Sequence, residues 1–287
     1  MSNLIQELID RADSGATVKP PPGQYNVDVV GCGVNIIKPL TLDLTGVVIQ
    51  ALPTDQVMSI IININAVNDV SVINASGIVG EASNHIWPSK TLPDGSPNPK
   101  YKPNQADYGG QGFGIFVAGG ARNVRLINNN VSNCFGDGIY VDTAYNVEVR
   151  KNRSLGNRRQ AMSVIAVDGI DVIENDFSNT GHQLWTPPGC GNDFECNGAE
   201  QIIANVNVSK NNYANNVGSH IAFGTNKGIY KNIRVFNDNI FDGKSQPIWV
   251  AAPGVLGTPW WAFLLNRSLG WMDGYRWWGY PTSWYRP

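Results

Sequence analysis

Charge is scarce in this chain. Asp, Glu, Lys and Arg make up 15% of its 287 residues, 21 basic against 23 acidic, with no basic run. Electrostatic capture of nucleic acid depends on clustered Lys and Arg, so that class of partner is excluded. Long apolar runs are missing too. None approaches the roughly 20 residues that a spanning helix needs, so no membrane insertion is expected. The N-terminal "MSNLIQELIDRADSG" carries Glu7 and Asp10 among its apolar residues and lacks a cationic start, so it does not read as a signal peptide. A chain made in a cytoplasm, or one released by lysis, is the expectation. Cysteine is limited to Cys32, Cys134, Cys190 and Cys196, without zinc or redox spacing. Buried free thiols are the plain reading; a Cys190–Cys196 bridge pinching a loop is the alternative. No metal-ligand cluster and no cofactor motif stands out.

What is present is a repeat, the first thing to look for in any chain. "NVRLINNNV" starts at Asn123, "NVEVRKNRS" at Asn146 and "GIDVIENDF" at Gly169, so Val124, Val147 and Ile170 follow one another at 23 residues. "VNVSKNNY" from Val206 and "IRVFNDNI" from Ile233 continue the series. A second series interleaves: "GIFVA" at Gly114, "GIYVD" at Gly138, "AMSVI" at Ala161, "GNDFE" at Gly191, "HIAFG" at His220 and "PIWVA" at Pro247. Each period holds two short β-alternations separated by Asn/Gly-rich turns. Such a repeat predicts an all-β parallel solenoid whose coils stack at about 4.8 Å. A leucine-rich repeat lacks its ladder here, and a propeller needs longer blades. Asn128, Asn152, Asn175 and Asn211 at repeated turns suit side-chain ladders and left-handed backbone.

A solenoid needs covered ends. Residues 1–22 read as a capping helix, with Ser2 as N-cap, leading into the first strands. Residues 23–253 form the helix of strands. Residues 254–287, rich in Trp, break the repeat and read as a cap or assembly segment.

Several phrases resemble the right-handed parallel β-helix family of pectate-lyase-like architecture, in the subgroup of phage tail spikes and polysaccharide-degrading proteins. They are "GATVKPPPGQYNV" from Gly15, "GIVGE" at Gly77, "GDGIYV" at Gly136 and "NRRQAMSVI" at Asn157, across roughly residues 4 to 250. Three positions depart from the subgroup's pattern: Asn192 stands where an aliphatic is usual, Cys196 replaces a proline, and Ala82 replaces an arginine in "GEASNH". The resemblance implies a bacterial surface polysaccharide as ligand, a homotrimer, and virion tail or baseplate partners. It implies localisation in a virion tail.

Aligning the second series gives inward pairs Ile115/Val117, Ile139/Val141, Met162/Val164, Asn192/Phe194, Ile221/Phe223 and Ile248/Val250. The outward residue between them runs Phe116, Tyr140, Ser163, Asp193, Ala222, Trp249. An acid between small residues, with aromatics beyond, predicts a trough whose walls could stack on sugar faces. Asp193 and Glu195, two apart on one strand, share a face. Asp137 lies about two coils away, and Arg158, Arg159 and Gln160 fall at the trough's rim. Asp193, Glu195 and Asp137 are therefore the candidate catalytic carboxyls. Glycoside hydrolysis uses two, about 5–5.5 Å or 6.5–9.5 Å apart. Arg158, Arg159, Gln160, Tyr140, Ser163, His182, Trp185, His220, Trp249, Glu81 and His85 are the candidate substrate contacts. A depolymerase acting by acid/base hydrolysis is expected. A uronate lyase or epimerase using Arg159 with His182 or His220 is the enzymatic alternative, and a receptor-binding solenoid the non-enzymatic one. The long loop 94–110 is expected to overhang the trough with Tyr101, Lys102 and Asp107.

Overall fold

The computed structural model describes residues 3–103, 109–182, 187–224 and 228–250. The chain winds as a parallel β-helix with three strands per coil. Two of the faces are joined in a 14-stranded sheet, and the third is an eight-stranded sheet. The 23-residue spacing is the coil: Val124 pairs with Val147, and Val147 with Ile170. The third face, which the alternation does not reveal, is built from very short strands such as Asn130–Ser132, Arg153–Leu155 and Asp176–Ser178. Each sends one side chain inward: Val131, Ser154, Phe177 and, a coil later, Tyr213.

The inward rows are as aligned. Ile115, Ile139, Met162, Asn192, Ile221 and Ile248 stand in register and are buried. The turn beside the third face carries an asparagine ladder: Asn129, Asn152, Asn175, Asn211 and Asn239 donate one to the next at 2.9–3.1 Å. The first rung is Asn129, not Asn128. Asn128 takes left-handed backbone (φ 56°) and pairs outside with Asn74. Left-handed residues are costly unless local hydrogen bonds favour them, which is why Asn recurs at these turns.

The N-terminal helix is Leu4–Arg11, capped by Asn3, whose side chain accepts from the Gln6 amide; Ser2 lies outside the described residues. Ile5 and Ile9 are fully buried. Gln6 bonds both the amide nitrogen and the carbonyl of Asn35 in the edge strand Val34–Ile36, covering groups that an edge otherwise leaves open. No disulfide joins the four cysteines, and Cys134, Cys190 and Cys196 are buried. Residues 254–287 lie outside the described residues.

Candidate functional site

The outward row is in register as expected: Phe116–Tyr140–Ser163–Asp193–Ala222–Trp249. Its ends behave as walls. Phe116 and Tyr140 stack at 5.4 Å and 6°, and Tyr140 and Trp249 are half-buried. Its middle is not open. Ser163 is 1% exposed, and Asp193 and Ala222 are each 3% exposed. Alternation fixes which way a side chain points, but not what folds over it. Here Gln160, the first residue of the strand Gln160–Ile173, bonds both Ser163 and Asp193, and Arg159 just before it reaches Asp137.

Arg159 grips Asp137 side-on, Nε to Oδ1 at 2.8 Å and the terminal nitrogen to Oδ2 at 2.7 Å. Asp137 is fully buried, so it is a partner of Arg159 beneath the surface and no open catalytic carboxyl. Ser163 Oγ stands 2.8 Å from Asp137 Oδ2 and also bonds Gln160 Oε1. Gln160 Nε2 stands 2.7 Å from Asp193 Oδ2. Asp193 in turn hydrogen-bonds Glu195, the half-buried member of the series. Gln160, fully buried, therefore contacts one acid and a hydroxyl instead of a rim ligand.

Burial and the adjoining Glu195 charge push Asp193 up to about 8, against the pull of Gln160 and Arg159. Burial also raises Glu195, opposed by Arg159 and by its bond to Asp193. Burial works against the Arg159 charge, but Asp137 outweighs it and holds the guanidinium above its usual value. Side chains in hydrogen-bonding reach are closer than the spacing of two carboxyls that flank a scissile bond. Asp193 and Glu195 act as one proton-sharing unit. The sequence spacing suggested a flanking pair because the two Cα atoms are well separated; the side chains converge.

Arg158 takes the other side of the turn and is fully buried. Its guanidinium lies 4.3 Å above the Phe135 ring and donates to the Gly109 and Phe135 carbonyls. Burial lowers it to about 10. It pins the end of the long loop, and Gly136 permits that approach, since a Cβ there would meet the Gly110 carbonyl at 2.0 Å. Below Phe135, His85 stacks at 3.8 Å and bonds Glu81 at 3.0 Å. Arg158, Glu81 and His85 thus belong to a buried column, not to an open groove. Trp87, whose ring lies 4.7 Å from His85, and Phe135 complete it. Sequence reasoning missed both; an aromatic in an otherwise Asn/Gly-rich turn was the available signal.

The other histidines are not gathered at the acids. His220 is fully buried between Asn216 and Asp242, and burial lowers its pKa against the Asp242 charge. His182 is exposed and bonds the Asn215 carbonyl. Trp185 and Asp107 lie outside the described residues, and Tyr101 and Lys102 are exposed. Among the described residues, no three His, Cys, Asp or Glu side chains converge as metal ligands.

The family described as a right handed beta helix region matches residues 59–203. Among solved structures, the Family 28 exopolygalacturonase of Yersinia enterocolitica is 14% identical with a TM-score of 0.56; the match covers 86% of this chain and 57% of that one. This chain therefore spans little more than half of that enzyme, and the likeness is one of fold. A tailspike protein of an Acinetobacter baumannii bacteriophage, a capsular polysaccharide depolymerase, matches at 11% identity and TM-score 0.36, covering 83% of this chain and 48% of that one. The A-module of an Azotobacter vinelandii mannuronan C-5 epimerase matches at 12% and 0.34, covering 89% and 94%. No curated protein matches the sequence.

Proposed function

This chain belongs to the right handed beta helix family, and from that premise we propose that it binds and cleaves a polysaccharide lying along the Tyr140–Trp249 row. The observation that carries the reading is the raised pair Asp193/Glu195, whose one partly exposed carboxyl is Glu195. Structural carboxylates on a solenoid surface have no need of such an environment; an acid that must hold a proton at neutral pH does. Glu195 protonates the glycosidic oxygen as that bond breaks, water adds to the anomeric carbon, and the proton that this water releases restores the one held by Glu195 and Asp193 beneath it. Tyr140 and Trp249 offer apolar faces for sugar rings. The Arg159 side chain, 23% exposed, is the cation that an acidic sugar would meet.

The same closeness favours a second reading, elimination on a uronate. There one proton-sharing unit could serve on one side of the sugar as base and then acid. Hydrolysis as first proposed requires a further group to activate water on the opposite face. Asp137, fully buried against Arg159, is poorly placed to be that group. The resemblance of "NRRQAMSVI" supports a bacterial surface glycan as substrate and a tail-spike-like homotrimer as the working form, which light scattering would test.

The test is incubation with capsular polysaccharides, lipopolysaccharide and polyuronates. Reducing ends without ultraviolet absorbance are expected for hydrolysis; ends with the absorbance of a new double bond mean elimination. Glu195→Gln should lower turnover by roughly 10²-fold or more, the scale of acid–base catalysis, with binding retained. A glycan bound tightly by wild type yet never cleaved would make the protein a receptor-binding solenoid and overturn the enzymatic reading.

A further inference from the structure

Ser163 has one proton and two acceptors. Its Oγ contacts Asp137 Oδ2 at 2.8 Å and also the oxygen end of the Gln160 amide. Asp137 already takes both Arg159 donors and can only accept from Ser163. If the hydroxyl donates to Gln160, the contact with Asp137 has no proton in it. That is an unfavourable meeting of two oxygens in a place where Asp137 is fully buried and Ser163 is 1% exposed.

A half-turn of the Gln160 amide removes the conflict, since its nitrogen and oxygen occupy the same two places. The nitrogen then donates to Ser163 Oγ, and Ser163 donates to Asp137. The amide oxygen now faces Asp193 Oδ2 across the 2.7 Å contact. Only a proton on Asp193 can fill that contact. Every hydrogen bond from Asp193 to Asp137 is made when Asp193 is a neutral acid. When Asp193 loses its proton, the amide must turn back and the Ser163–Asp137 bond is lost.

We propose that Gln160 and Ser163 are positioning residues that form a two-state hydrogen-bond relay, its direction set by the proton on Asp193, which keeps Asp193 a neutral acid beneath Glu195. The relay rests on the reading of Asp193/Glu195 as the acid of the site and gives that site its pH dependence. The ionisable groups that face Asp193 are few. Glu195 adjoins it just past the end of its strand Asn192–Phe194, and Cys190 on the turn before it. Arg159 and Asp137 face it from the two preceding coils. The next coil places the uncharged Ala222 beside it. Burial and the Glu195 charge already raise Asp193; Gln160 lowers it while its nitrogen faces the acid, and with the amide turned it acts in the opposite sense and raises it.

The experiment follows the Asp193 carboxyl by NMR in protein labelled at aspartate carboxyl carbon, with Asp193→Asn to assign the signal. Ser163→Ala frees Gln160 to turn its nitrogen to Asp193 at no cost, so the titration midpoint should fall by about one pH unit, tenfold in proton affinity. Ser163→Thr, which keeps the hydroxyl, should restore it. Gln160→Met removes the acceptor of the neutral acid, and the midpoint should again fall. If Gln160 simply donates to an ionised Asp193, the same variant raises the midpoint, so a rise or an unchanged value overturns the relay. Turnover is a separate readout. A lowered midpoint in a protein that cleaves nothing leaves the relay standing and sinks the enzymatic reading; turnover with an unmoved midpoint does the reverse.

Discussion

Asp193→Asn is expected to melt higher than wild type at neutral pH and to have lost its turnover. The first half follows from linkage. The folded protein holds the Asp193 proton up to about 8, against an ordinary value of 3.8. A raised group contributes stability that is fully present below its unfolded pKa. That contribution is lost as pH rises through the folded pKa, because the unfolded chain ionises first. From about pH 4 upward, wild type therefore pays progressively for its buried acid. The amide never ionises, keeps the shape, and can donate to Gln160 as the neutral acid does. Since the pair shares a proton, the full span overstates the effect. A difference of about 2–4 kcal/mol near pH 7 is the expected size, or roughly 5–10 °C in melting temperature. Thermal melts of both proteins between pH 4 and pH 8 check this. The two should coincide at the acid end and separate as pH rises. Parallel curves would mean that Asp193 is not held neutral in the fold.

The second half is that turnover falls by roughly 10²-fold or more, since an amide carries no transferable proton. Gain of stability with loss of activity is the mark of a strained functional group, and few surface acids would show it. The same experiment thus separates a site from a solvated pair.

How much of this could be read beforehand depends on what each pattern encodes. Alternation records direction, so the inward and outward rows were legible to the residue, Asn192 included. It does not record depth. Ser163 and Asp193 point out of the core yet are buried, because Gln160 at the mouth of the strand bonds both of them, and the mouth of a strand carries no alternation. Arg158 and Arg159 are neighbours in sequence and go to opposite sides, one over Phe135 and the other onto Asp137. Their separation depends on the end of a long loop, which no local pattern fixes. The third strand of each coil was hidden for a related reason: one inward residue makes no alternation. The asparagine rungs were legible but misnumbered at one end. Three asparagines stand at 128–130, and the 23-residue period itself selects Asn129 as the partner of Asn152.

Two buried asparagines should respond to the same substitution with opposite sign. Asn175 is 2% exposed and fully employed. It accepts from the Asn152 backbone and side chain at 2.8 and 3.1 Å, and donates to the Val149 carbonyl and to Asn211 at 2.9 Å each. Asn175→Leu strands both Asn152 donors and the Val149 carbonyl, while the Asn211 oxygen keeps only the Asn175 backbone amide. Each buried group left without its bond costs about 1–3 kcal/mol, so a loss of roughly 4 kcal/mol or more is expected, enough to threaten folding. Asn192 is equally buried but points into the apolar row between Met162 and Ile221, and neither its amide oxygen nor its nitrogen finds a partner. Leucine has nearly its shape and no polar atoms. Asn192→Leu should therefore stabilise by about 1–3 kcal/mol, less whatever the slightly larger side chain costs in packing. Denaturant midpoints for the two variants, measured side by side, decide the matter. Equal destabilisation by both would mean that the Asn192 amide is bonded in solution. Opposite signs would show that this solenoid gains stability from asparagine only where the coils stack it into a ladder.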